Sequence, residues 1–309
     1  MRRVAIGVTT FERPKLLRRA LEAIAALECK ADIEVFVADN GFEKQEGVAV
    51  AHEMRDAGFP FPIAAFAVTG RGFSYPRNAL ISRAFEEGDF EGLAIVDDDQ
   101  RPEPKWLHAL IEMQVALQAD IVAPAVIPEF EGQAPVWART SKIYFRDASA
   151  NGTVAQLSGD GGILLARRVA GLVAQPWYKH ALGLTGGADS DLFLRLQENG
   201  ARFARARDSI IHEFYPESRQ RLSWALKRAY RNGNSAVLID LQNRSKNQVI
   251  LRGAPKMIAA LVGGPILAVF SIWSPGLAVD MLCKSARACG KISALLGSRY
   301  QEYERVHGN

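Results

Sequence analysis

Ile95-Val96-Asp97-Asp98-Asp99 sets two β-branched apolar residues directly ahead of three carboxylates, with no lysine or arginine until Arg101. The apolar pair reads as the end of a buried strand, here Leu93–Val96. Like charges crowded together raise one another's cost of ionisation, so the cluster makes sense if a cation joins it. In an extended segment alternate side chains share a face, which places Asp97 with Asp99 and turns Asp98 away. Hard oxygen donors suit Mg²⁺ or Mn²⁺, which commonly complete their shells with phosphate oxygens. A solvated acidic turn is the plainer reading of three bare aspartates. Their place in the chain favours the metal.

Working outward, apolar runs recur at Val4–Thr9, Ile33–Ala38, Pro62–Val68 and Ile121–Val126. Helix-like stretches separate them: Pro14–Leu27, Val48–Ala57, Pro76–Glu87 and Pro104–Gln118, with Pro14, Pro76 and Pro104 at expected first-turn positions. This alternation predicts an α/β fold, a Rossmann-like, mostly parallel sheet with helices on both faces. Ligands of such sheets gather beyond the carboxyl ends of the strands. The polar clusters Thr9–Arg13, Asp39–Gly41, Thr69–Arg77 and Asp97–Arg101 fall there. Residues 127–231 are less regular: a Gly-rich strand (Gly159–Leu165), a loop (Gly183–Gly187) leading into a helix (Ser190–Asn199), and a basic helix (Leu222–Arg231). We expect a catalytic domain over 1–235, with a nucleotide-binding half (1–126) and an acceptor half (127–235), followed by a helical region over 236–309.

Composition narrows the class. Of 309 residues, 48% are hydrophobic and 23% charged, which fits a folded chain rather than a disordered one. A net charge of +4 is too weak to indicate nucleic acid, though it is compatible with anionic ligands or an anionic membrane surface. Cys29, Cys283 and Cys289 form no Cys-x-x-Cys pair, so neither a disulfide framework nor a zinc site is expected, and a reducing cytosol fits best. The apolar run after Arg2-Arg3 is too short for a signal peptide and reads as a first strand.

Several further residues carry possible chemistry. Arg77, in the first turn of its helix, is suited to a diphosphate, and a surface arginine is the plain reading. Asp39, in Asp39-Asn40-Gly41, either meets a base or ribose or belongs to a β-turn. In Gly186-Gly187-Ala188-Asp189-Ser190-Asp191, the aspartates either cap a helix or supply a general base to an acceptor hydroxyl. His212, at the end of a short strand, is either packed or a third metal ligand beside Asp97 and Asp99. The stretch Arg219, Arg221, Lys227, Arg228 and Arg231 is mostly a solvated face from which one or two cations reach a departing diphosphate. Trp137, Trp177 and Tyr178 are candidates for stacking on a sugar ring, or for the core.

Taken in order, Thr9-Thr10-Phe11-Glu12-Arg13, Val37-Ala38-Asp39-Asn40, Arg77-Asn78, Asp97-Asp98-Asp99, Gly161-Gly162, Gly186-Gly187-Ala188-Asp189 and Ile211-His212-Glu213 resemble family 2 glycosyltransferases of the GT-A fold. The resemblance covers residues 1–235, includes Arg228–Gly233, and is greatest to bacterial exopolysaccharide β-glucosyltransferases of succinoglycan assembly. It implies nucleotide contacts from Thr9, Glu12, Arg13, Asp39, Arg77, Asp97 and Asp98, and metal ligation by Asp97, Asp99 and His212. It also implies Asp189 as catalytic base, with inversion from a UDP-α-sugar. Ala188 stands where the family commonly has glutamate, which leaves Asp191 as the other candidate base. The Gln-x-x-Arg-Trp motif of processive members is absent, which favours transfer of a single sugar.

Met257–Val279 carries no charge between Lys256 and Asp280, a length able to span a bilayer. Gly263-Gly264-Pro265 and Pro275 are expected to interrupt it. Lys246, Arg252 and Lys256 before it and Lys284, Arg287 and Lys291 after it give no charge asymmetry. A bent or re-entrant element on the cytoplasmic face of the inner membrane is therefore expected, suiting a polyprenyl-diphosphate-linked saccharide acceptor. A soluble helical appendage is the plainer alternative. For the whole chain, the competing functions are a sugar-nucleotide nucleotidyltransferase and a non-catalytic nucleotide-sugar or membrane-binding module.

Overall fold

A computed structural model describes residues 2–145, 151–157 and 161–300; Gly159, at the start of the expected Gly-rich strand, and the last nine residues of the expected C-terminal region lie outside the described residues. The elements in chain order begin with β1 (Arg3–Thr10), α1 (Pro14–Ala25), β2 (Asp32–Asp39), α2 (Glu46–Asp56), β3 (Ile63–Ala67), α3 (Ser74–Ser82) and β4 (Gly92–Asp97). They continue through β5 (Gln100–Pro102), α4 (Trp106–Leu117), β6 (Ile121–Phe130), β7 (Gly152–Val154), β8 (Ile163–Ala166) and α5 (Val169–Leu172). The chain closes with α6 (Ala188–Glu198), β9 (Phe203–Tyr215), α7 (Leu222–Asn243), α8 (Lys246–Phe270) and α9 (Pro275–Leu295).

One sheet runs in the order β3-β2-β1-β4-β8-β6-β9-β5, with β7 paired to β9. The first four strands are parallel. The second half is mixed: β8 is antiparallel to both β4 and β6, while β6 and β9 are parallel. The expected fifth parallel strand, β6, is thus separated from β4 by the Gly161-Gly162 strand.

Strand alternation builds a core on each face. Leu93 and Ile95 of β4 join Phe36, Leu80, Trp177, Tyr178 and Phe193, whereas Ala94 and Val96 join Leu17, Leu21, Val37 and Trp106 on the other side. Trp177 and Tyr178 are therefore core residues and not sugar-stacking surface. Only Pro14 begins its helix; α3 starts two residues before Pro76 and α4 two residues after Pro104.

Helix α7 runs unbroken through residue 235 and packs against α9, which packs antiparallel to α8. The charge-free segment is not one element. Helix α8 ends at Phe270, and Pro275 opens α9 in its first turn. Gly263-Gly264-Pro265 stays helical, against expectation. Gly264 sits where a Cβ would strike Ser285 and come within 2.9 Å of the Met281 carbonyl of α9, so the glycine serves helix contact rather than a break.

Candidate active site

The parity that divides the core also divides the aspartates. Asp97, the last residue of β4, continues the Leu93–Ile95 face, toward α3 and α6. Nη2 of Arg77, from α3, lies 3.0 Å from each Asp97 oxygen, and its Nη1 binds Asp189 of α6. The Thr9 hydroxyl donates to Asp97 at 2.7 Å. Asp98 points to the opposite side, toward the start of α1. It accepts from the Thr10 hydroxyl at 3.0 Å and from Arg13 at 3.2 Å.

The strand ends at Asp97, so the alternation that would pair Asp99 with Asp97 stops there; Asp98 and Asp99 form a turn into β5. Arg13 consequently reaches both Asp98 and Asp99, the latter at 3.6 Å, and Arg219 lies 3.0 Å from Asp99. Burial pushes the Asp99 carboxyl above its ordinary range, helped by the like charges of Glu213 and Asp97 and opposed by Arg219 and Arg13. Burial likewise pushes Asp98 up to about 6, against the pull of Arg13. Burial works against the charge of Arg77 too, yet Asp189 and Asp97 hold its guanidinium firmly protonated. Tyr178 sits in the same cluster, its hydroxyl raised by burial.

His212 does not join this group. Its Nε2 lies 2.9 Å from Glu103, and it pairs across the sheet with Arg101. Period-two alternation on β9 turns Glu213, not His212, toward Asp99. Among the described residues, no three His, Cys, Asp or Glu side chains gather in a metal-ligating set. The expected Asp97–Asp99–His212 clamp is corrected to that extent. Asp97 and Asp99 nonetheless keep the donor chemistry a divalent cation needs, and lie near enough that the charge of Asp97 raises Asp99. They are hard oxygen donors, and the ionised form of Asp99 is one that a cation would stabilise.

Other expected contacts are also reassigned. Asp39 is 1% exposed, with its oxygens on the amides of Gly41 and Gly47 at 2.8 Å and of Val48 at 3.2 Å. It ties its strand to the start of α2 and offers no open face to a nucleotide. Asp98, also buried, anchors the loop after β1 rather than facing a ligand. Glu12 pairs with Lys44 at 3.2 Å. Asp191 is 1% exposed, held by Lys179 and Arg195 at 2.8 Å each. Asp189 is not the N-cap of α6, which is Gly187 in the left-handed region; Asp189 lies in the first turn.

Of the basic stretch, Arg219 reaches Asp99, while Arg228 lies over the Trp224 ring at 5.1 Å. Sequence reasoning passed over Gln100 and Glu213. Gln100 accepts from the Asp97 amide at 3.1 Å, and Gly161 lies against its side chain. The tight packing of a glycine was the signal for the first. For the second, the signal was the position one residue beyond His212. Gln220 and Trp224 hold two positions of the processive motif, with Ser223 in place of arginine.

The mixed sheet whose carboxyl edge carries this acidic turn has the GT-A fold of glycosyltransferases, and solved structures share that fold. A mannosyltransferase from Pyrobaculum calidifontis, solved with GDP-Man and Mn²⁺, matches with a TM-score of 0.62 at 15% identity, covering 96% of this chain and 88% of that one. Residues 1–349 of S. aureus TarS, solved with UDP, match with a TM-score of 0.51 at 13% identity, over 99% and 95%. The sequence profile of Glycosyl transferase family 2 matches residues 5–171, and the chain belongs to that family. It is 31% identical over 242 residues to the succinoglycan biosynthesis protein ExoM of Rhizobium meliloti (strain 1021), spanning 75% of this chain and 73% of that protein. The nucleotidyltransferase and non-catalytic readings end here: the chain is a glycosyltransferase.

Proposed function

We propose that the chain moves one sugar, glucose, from UDP-glucose to a polyprenyl-diphosphate-linked saccharide at the cytoplasmic face of the inner membrane, with inversion. The observation that carries this reading is the Arg77 guanidinium shared between Asp97 and Asp189. It sets the carboxylate edge suited to a donor diphosphate directly beside a candidate base. Residues 1–235 form the catalytic unit in this reading, and the helices after it the membrane-facing part. The mannosyltransferase solved with GDP-Man and Mn²⁺ and TarS solved with UDP and UDP-GlcNAc support a nucleotide-sugar donor. The succinoglycan relative supports a role in exopolysaccharide assembly.

Asp97 and Asp99 would hold Mg²⁺ or Mn²⁺, which supplies positive charge to the donor's phosphate oxygens. Asp189 takes the proton from the acceptor hydroxyl as that oxygen bonds to the anomeric carbon. The bond from this carbon to the diphosphate breaks on the opposite side, and its electron pair leaves with UDP. Arg219 and Arg77 stand ready to stabilise the departing charge. Asp189 is preferred to Asp191 as base because two cations enclose the latter away from solvent.

The test is release of UDP from UDP-glucose with Mg²⁺ or Mn²⁺ by the purified chain, with UDP-galactose, UDP-N-acetylglucosamine and GDP-mannose in parallel. Slow, chelator-sensitive hydrolysis of UDP-glucose is expected. Equal hydrolysis of all four, or none of any, overturns the donor assignment.

A further inference from the structure

Helix α8 has 25 residues and is long and apolar enough to cross a membrane by length and composition, its apolar stretch having a mean hydropathy of 1.6. Its geometry argues otherwise. Lys246, Arg252 and Lys256 occupy its first half, and the charge-free part, Met257–Phe270, is about 21 Å long at 1.5 Å per residue. A bilayer core is roughly 30 Å thick. The chain then turns at Ser271–Ser274 and returns as α9, packed along α8 through Gly264.

The inner side of α8 (Val249, Met257, Gly264, Ala268) is buried. The outer side is not. Ile258, Val262, Ile266 and Val269, at steps of four, four and three, form one exposed face, and Phe270 and Trp273 carry it round the turn at 77% and 93% exposure. An apolar surface of this kind on a soluble chain marks a docking site. On α8 charge is confined to the base of the hairpin, while α9 carries Asp280, tied to Ser141 and Lys142, and Lys284 nearer the turn. Lys256, Arg287 and Lys291 come together at that base, close enough that the ammonium of Lys291, depressed first by burial, is depressed further by the other two. Beyond them, to the turn, there is no charge on α8.

We propose that α8 and α9 form a helical wedge that inserts its Phe270–Trp273 turn into one leaflet of an anionic bilayer without crossing it. The base cations lie at the headgroups. This rests on the membrane-facing reading above and supplies its surface and depth. A second copy of the chain fits less well, because pairing through this apolar face brings the base cations no counter-charge, whereas anionic lipid neutralises them. The wedge also connects to the catalytic centre. Gly276 packs on Thr140, Asp280 accepts from Ser141 at 2.6 Å, and the Tyr144 hydroxyl from the same loop donates to the Arg219 carbonyl at 2.7 Å. Arg219 in turn holds Asp99.

The experiment is flotation of the full chain with phosphatidylglycerol/phosphatidylethanolamine vesicles, compared with a Phe270→Ser, Trp273→Ser double variant. Wild type floats with the vesicles, and floats at least ten-fold less with pure phosphatidylcholine or with the variant. The variant's hydrolysis of UDP-glucose in solution is unchanged, which separates this result from any failure of the donor assignment. For depth, a fluorophore on Ser274→Cys, in a Cys29→Ser, Cys289→Ser background, is quenched by acyl-chain nitroxides and spared by dithionite trapped inside the vesicles. Equal flotation of the double variant overturns the wedge, as does quenching by trapped dithionite. A concentration-dependent dimer that the double variant abolishes, without vesicle binding, also overturns it and assigns the face to a second copy.

Discussion

Arg77 Nη2 stands 3.0 Å from both carboxylate oxygens of Asp97, on the same guanidinium that binds Asp189. A lysine carries the charge but not the fork, so it cannot hold two carboxylates in fixed relation. Arg77→Lys should lower kcat/KM for UDP-glucose hydrolysis about 100-fold, the scale of losing one preorganised charged donor. Steady-state kinetics would show it; a change under three-fold would assign Arg77 to packing alone.

The two aspartates of α6 should separate cleanly. Asp189→Asn should abolish hydrolysis with little change in melting temperature, because Asp189 is only partly buried. Asp191→Asn should cost about 2 kcal/mol of stability, because it weakens a buried carboxylate held by Lys179 and Arg195. Thermal unfolding and UDP release on the same preparations test both. Normal hydrolysis by Asp189→Asn would transfer the base to another residue.

Gly161→Ala should impair the donor site without touching a ligand. A Cβ there collides with the Gln100 amide, which braces the Asp97 backbone. We expect UDP affinity to fall about ten-fold as Asp97 shifts, an effect of the size seen when groups supporting a metal ligand are lost. Calorimetric titration of UDP reads it directly, and unchanged affinity would show that Gln100 yields freely.

Asp98 gives a pH dependence of known sign. Its carboxyl ionises near 6 in the folded chain and near the ordinary 3.8 when unfolded. Between those values the folded chain holds a proton that the unfolded chain has released, so this group's contribution to stability declines as pH rises and levels off above 6. Asp98→Asn removes that slope. Because Asn stands in for the protonated carboxyl, melting temperatures of the two proteins should lie nearest each other at pH 4 and separate toward pH 7, wild type falling relative to the variant. Parallel curves would contradict it.

Much of this was legible in the sequence because period and position carry it. Alternating apolar runs mark the parallel half of the sheet, and Asp97 stands at a strand end where ligands gather. What was hidden depended on where regularity stops. Asp99 does not follow Asp97's face because β4 ends between them, and His212 turns away because its strand alternates in favour of Glu213. Asp39 looked like a ligand because the groups that donate to it are backbone amides, and backbone partners leave no trace in residue identity. Long-range ion pairs, such as Arg219 with Asp99, need tertiary structure to be seen at all.

Titration of UDP with and without Mn²⁺ bears most directly on the donor site. The affinity should rise at least ten-fold with the metal, lose that gain in Asp99→Asn, and keep it in His212→Ala. Equal affinity in chelator and in Mn²⁺, or a gain that survives Asp99→Asn and disappears with His212→Ala, would contradict it.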